Sequence, residues 1–117
     1  MSSYAPLIDA PVDIDGHVTM EVSLARLSAA LIDDDGWAPS PAHRTAETFK
    51  AEKYDLTLSA IAAGTPLVMP WVFLQFGRLS VMDGRHRLYA MIDRGYSTVT
   101  IRVGNRDAEH VSSLLST

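Results

Sequence analysis

The chain has 117 residues, a formal net charge of −4, and 47% hydrophobic against 21% charged residues. That balance predicts one folded domain, and the acidic excess disfavours stable DNA binding by this domain alone, since phosphate neutralisation supplies most non-specific affinity. The absence of cysteine excludes disulfides, thiolate nucleophiles and Cys-based zinc sites. A start without signal-peptide features, and no apolar run near the ~20 residues of a membrane span, make a cytoplasmic protein without membrane contact the expectation.

Residues 1–16 hold two prolines and several turn formers, with an extended edge segment expected around Leu7–Ile14. His17–Val22 alternates polar and apolar residues, placing Val18, Met20 and Val22 on one side of a half-buried strand. Ser23 is a suitable N-cap for a helix over Leu24–Ile32, in which Leu24, Leu27, Ala30 and Leu31 follow helical spacing. The Asp33–Asp35 run ends it as a solvated helix terminus, and its spacing does not match an EF-hand. Residues 36–43 read as a plain connecting loop rather than a lid over a site.

From Arg44 to Ala63 the pattern is helical again, with a phase shift near Asp55 that allows two helices. Gly64-Thr65-Pro66 closes it. Leu67–Phe76 is apolar and β-rich, but Pro70 prevents one unbroken central strand. A turn at Gly77-Arg78 leads to a returning arm, Leu79–Met82. A helix over Arg85–Arg94 places Leu88, Met91 and Ile92 on one face and stops at Gly95. Thr98–Val103 alternates as a strand, and Asp107–Leu115 closes the chain as a short helix. Trp37, Trp71, Phe73 and Tyr89 read as core or interface aromatics. His17, His43 and His110 are scattered without zinc-site spacing, and His43-Arg44 reads as surface loop.

The turn Asp83-Gly84-Arg85-His86-Arg87 stands out. It joins an apolar strand to a helix N-terminus, where unpaired N–H groups favour an anion. Two arginines at that end oppose the helix dipole, a local cost that phosphate binding would explain. Gly84 would let the backbone come close to the ligand. His86, with a reference pKa of ~6.5, is a candidate phosphate contact or general acid/base, or else a hydrogen-bond partner of Asp83. Asp83 is expected to cap the helix, with metal ligation or catalysis as its functional alternative.

The segments IAAGTPLVMPWVF, GRLSVMDG, RHRLYAMIDRG and YSTVTIRV, spanning residues 61–103, resemble the ParB/sulfiredoxin-like superfamily. Small plasmid- and phage-borne members such as the fertility-inhibition proteins are the nearest in the DGRHR motif. The resemblance implies an α+β fold, a small mixed β-sheet with helices packed around it. It also implies nucleotide phosphates (ATP or CTP, with Mg²⁺) at Gly84, Arg85, His86 and Arg87, with Asp83 near a metal or ribose. Arg85 stands where sulfiredoxins carry their catalytic cysteine, so sulfinic reductase chemistry is excluded. The chain is also expected to lack the helix-turn-helix domain of partitioning ParB proteins. Two functions remain from this reading. One is a nucleotide- or phosphate-binding accessory protein with weak NTPase or nuclease activity, for which His86 and Asp83 are the candidate catalytic residues. The other is a non-catalytic inhibitor or adaptor that binds a host protein.

Overall fold

The computed structural model describes residues 8–9, 16–31, 37 and 48–115. In chain order these form β1 (Ile8–Asp9), β2 (His17–Ser23), α1 (Leu24–Ala30), α2 (Ala51–Ala63), β3 (Leu67–Val68), β4 (Trp71–Gln75), β5 (Arg78–Asp83), α3 (Arg85–Asp93), β6 (Thr98–Gly104) and α4 (Asn105–Leu115). Four strands make a mixed sheet in the order β2-β6-β4-β5, with β6 and β4 parallel and the outer pairs antiparallel. β1 and β3 form a separate parallel pair. The class is α+β, as expected.

Alternation sets the core face of the sheet. Val99, Ile101 and Val103 of β6 are fully buried, and Val22 opposite Val99 is buried with them. Val18 has the right parity but lies near the strand's start and is exposed. Val72, Leu79 and Val81 extend the same face across β4 and β5. The other face carries polar and aromatic residues. There the Arg102 guanidinium lies 4.3 Å from the centre of the Trp71 ring, which His17 contacts at 5.1 Å.

The helices close over the core face. Ser23 caps α1, its hydroxyl accepting the Arg26 N–H at 3.3 Å. Leu24, Leu27 and Leu31 are buried. The expected terminus at Ile32, the Asp33–Asp35 run and all of the 36–43 loop but Trp37 lie outside the described residues. Trp37 is buried and stacks on Tyr89 at 4.5 Å.

Several boundaries differ from expectation. The helix expected from Arg44 begins at Ala51, because Lys50 is extended at φ −118°, ψ 108°. Residues 44–47 lie outside the described residues. From Ala51 the helix runs unbroken through Asp55, so the phase shift does not mark two helices. The turn expected at Gly77-Arg78 falls on Phe76-Gly77, and Arg78 already pairs with Gln75. Phe76 takes φ 53°, rare for an aromatic residue, and is 93% exposed. Pro70 breaks the apolar run as expected, and its carbonyl accepts the Arg102 N–H at 2.8 Å. In α3 the buried set is wider than the predicted stripe. Leu88, Tyr89, Ala90 and Met91 are all inside, while Ile92 is half-buried. The helix is wedged between α1 and α2.

α4 starts at Asn105, two residues early, and buries Val111 and Leu115. In its first turn the Asp107 carboxylate accepts the Leu74 N–H of β4 at 3.1 Å. Among the described residues no helix is long and apolar enough to cross a membrane. Asp107→Ala leaves a part-buried N–H without its acceptor and is expected to cost about 1–2 kcal/mol. A urea melt reads this as a lower midpoint at constant slope, and an unchanged midpoint contradicts the role.

Candidate functional site

The chain must pass from β5 into α3 within one residue, and Gly84 is that residue. It is the helix N-cap residue, at φ 103°, ψ 16°. A Cβ built on it would lie 2.9 Å from Arg87 Nη2 and 3.0 Å from the Pro70 Cα. Only glycine tolerates both the left-handed backbone and that contact. The turn therefore lies directly on Pro70, and the Arg87 guanidinium folds back over it.

Asp83 does not cap α3, which has no side-chain cap hydrogen bond. Its Oδ2 accepts instead from Arg87 Nη2 at 3.2 Å. The glycine turn carries the carboxylate away from the helix N–H groups and toward the next turn. Asp83 is largely exposed, so this pair adds little stability and leaves Arg87 open to competition from a better anion. Arg87 Nε is buried with no hydrogen-bond partner.

His86 does not bond Asp83 either. Its Nε2 accepts the backbone N–H of Lys50 at 2.8 Å, from 36 residues away in sequence. Lys50 is the N-cap residue of α2 and provides no side-chain cap of its own. His86 thus holds the start of α2 against α3. Its ring sits among aromatics, 5.8 Å from Phe49 and edge-on to Tyr89 at 6.0 Å. Farther along, Tyr54 Oη donates to Asp93 Oδ2 at 2.5 Å and joins the two helices again.

Burial, followed by the charges of Lys53, Arg85 and finally Lys50, holds the His86 pKa below its ordinary 6.5; the hydrogen bond with the Thr48 backbone opposes them. Neutral His86 is also the form that can accept the Lys50 N–H at Nε2.

Arg85, His86 and Arg87 line one cavity of about 390 Å³ together with Asp83 and Gly84. All five residues singled out in the sequence are therefore brought together. The opposite wall was not anticipated. It comes from Lys53, Leu56, Thr57 and Ala60 of α2 and from Pro66, Leu67 and Val68. The α2 residues recur at i, i+3, i+4 and i+7, one continuous helical stripe. Tyr54, Leu58 and Ile61 form the neighbouring stripe that packs on the core. The phase shift near Asp55 was the trace of this second face. Leu56 at 71% and Val68 at 53% exposure are apolar surfaces at the cavity.

Among the described residues, three cations against one carboxylate leave the cavity positive in a chain of net charge −4. Such local concentration focuses the field on small anions. Among the described residues no three His, Asp or Glu side chains gather as a metal set. His43-Arg44 lies outside the described residues. Comparisons with protein-family models, curated proteins and solved structures returned no match.

Two outcomes are expected. Gly84→Ala should destabilise the fold by about 1–3 kcal/mol from backbone strain alone, seen as a lower melting temperature; an unchanged melting temperature contradicts the left-handed backbone at this position. For His86, the unfolded chain takes up its proton near 6.5 and the folded chain only at lower pH. Its contribution to stability is thus full above 6.5 and lost as pH falls through the folded value. An NMR titration should find the His86 midpoint below 6.5 and moved upward in Lys53→Gln. A midpoint unmoved by that substitution contradicts the assigned cause.

Proposed function

We propose that this cavity binds the phosphate groups of a small ligand, a nucleotide such as ATP or CTP, and that the chain is a ParB-like accessory protein of plasmid or phage type. The observation that carries the reading is the convergence of Lys53, Arg85 and Arg87 on one cavity around a glycine turn, with Arg87 Nε buried and unpartnered. Arginine presents a planar fork of donors suited to phosphate oxygens. The apolar wall of Leu56, Pro66 and Val68 suits the non-phosphate part of such a ligand better than it suits inorganic phosphate. The order of elements from Ile61 to Val103 is the one on which the ParB/sulfiredoxin-like resemblance rests.

The proposed activity is binding first. With Mg²⁺, Asp83 is the carboxylate on the cavity wall that would approach the metal. His86 Nε2 is occupied by the Lys50 N–H, so a role as general base would require that bond to open. A second reading, an inhibitor or adaptor that docks on a host protein, is favoured by one feature. Phe76 stands 93% exposed at the β4–β5 turn.

Calorimetric titration with ATP and with CTP, each with and without Mg²⁺, tests the first reading. Binding is expected, and Arg87→Ala should weaken it about 10- to 100-fold, the worth of a hydrogen bond to a charged group. No heat with either nucleotide, or equal binding by the variant, removes this reading and leaves the docking one.

A further inference from the structure

We infer that anion occupancy of the cavity is coupled to proton uptake by His86, whose neutral ring latches the start of α2 onto α3. The inference rests on the anion-binding reading above and adds its regulation.

The geometry joins three things in one residue. His86 lines the cavity, so its charge acts on whatever is bound there. Its Nε2 is the acceptor for the N–H of Lys50, where α2 begins. Its ring lies 5.8 Å from that of Phe49 and edge-on to that of Tyr89 at 6.0 Å. A proton on Nε2 converts that acceptor into a donor facing the Lys50 N–H donor, and the bond is lost.

Among the described residues, the charged groups that face the ring make this state unfavourable. Lys50 and Lys53 face it from the start of α2 and from its first turns, and Arg85 from α3. All three are cations. The Thr48–Phe49 segment contributes a backbone hydrogen bond and a ring, and α3 adds the Tyr89 ring. Lys53 and Arg85 also line the cavity. An anion held there offsets the two charges that most oppose protonation. It brings a negative charge near the imidazolium as well. Anion binding thus raises the proton affinity of His86. By linkage the proton raises the affinity for the anion by the same factor.

The consequence is a site that tightens as pH falls below the neutral range, at the expense of the Lys50 latch. α2 contributes Lys53 and Leu56 to the cavity wall, so release of its first turn shifts a cation and an apolar residue that face the ligand.

Sulfate is the appropriate probe, because its charge is constant over the range in which histidine titrates. NMR of the full chain follows the His86 ring and the Lys50 amide from about pH 8 to about pH 5, with and without saturating sulfate. The Lys50 amide is expected to titrate with the His86 midpoint, and sulfate is expected to move both to higher pH. A rise of one pH unit corresponds to tenfold tighter sulfate binding at the acid end. In His86→Gln, where the amide oxygen can accept the Lys50 N–H without titrating, sulfate affinity should lose its pH dependence. If sulfate binds with the same His86 midpoint as the free protein, or if the Lys50 amide ignores that midpoint, the coupling is wrong and the anion site stands. If sulfate perturbs no resonance of the cavity at any pH, the anion site falls and the coupling with it.

Discussion

Gly84 must carry the chain from β5 into α3 at φ 103°, where a Cβ would lie 3.0 Å from the Pro70 α-carbon. Any side chain there is strained. This constraint fixes where α3 begins, and with it the positions of Arg85, His86 and Arg87. Pro70 is held in turn by the sheet, since its carbonyl accepts the Arg102 N–H beside the parallel β4–β6 pair. The cations of the turn are therefore referenced to the sheet through backbone contacts rather than through flexible side chains. A site built on such rigid references loses little entropy when a ligand arrives.

The second wall of the cavity depends on different physics. α2 makes few sequence-local commitments at its start. Lys50 gives it no capping side chain, and Glu52 is the one acidic residue of its first turn. What holds it is tertiary: the His86 acceptor at one end, the Tyr54–Asp93 bond farther along, and the aromatic packing of Phe49 on Tyr54 and Tyr89. One wall is thus set by the backbone and the other by a titratable ring. That asymmetry makes α2 the side of the cavity able to respond to conditions.

Sequence patterns announced the elements whose causes are local. Alternation in Thr98–Val103, the capping serine before Leu24, the glycine after α3 and the proline inside the Leu67–Phe76 run each have a mechanism confined to a few residues, and the structure contains each of them. The residues of the DGRHR turn were legible for the same reason, since they are contiguous. Their partners were not. The Lys50–His86 bond spans 36 residues, and nothing near either residue signals it. Asp83 has the composition of a helix cap, but the left-handed glycine that follows turns it toward Arg87 instead. The helical stripe of Lys53, Leu56, Thr57 and Ala60 did leave a trace. An apolar residue off the buried stripe registered as a shift of phase, when it was a second face looking into the cavity.

The proposed ligand site is the cavity between α2 and the glycine turn. Backbone amide shifts recorded while ATP or CTP is added test it most directly, because every residue reports at once. The changes are expected to concentrate on Gly84–Leu88 and on the Lys53–Ala60 face of α2, with β2 and α4 unmoved. Saturable changes centred on the Phe76 turn or on the Trp71–Arg102 face of the sheet, with the cavity silent, would contradict it.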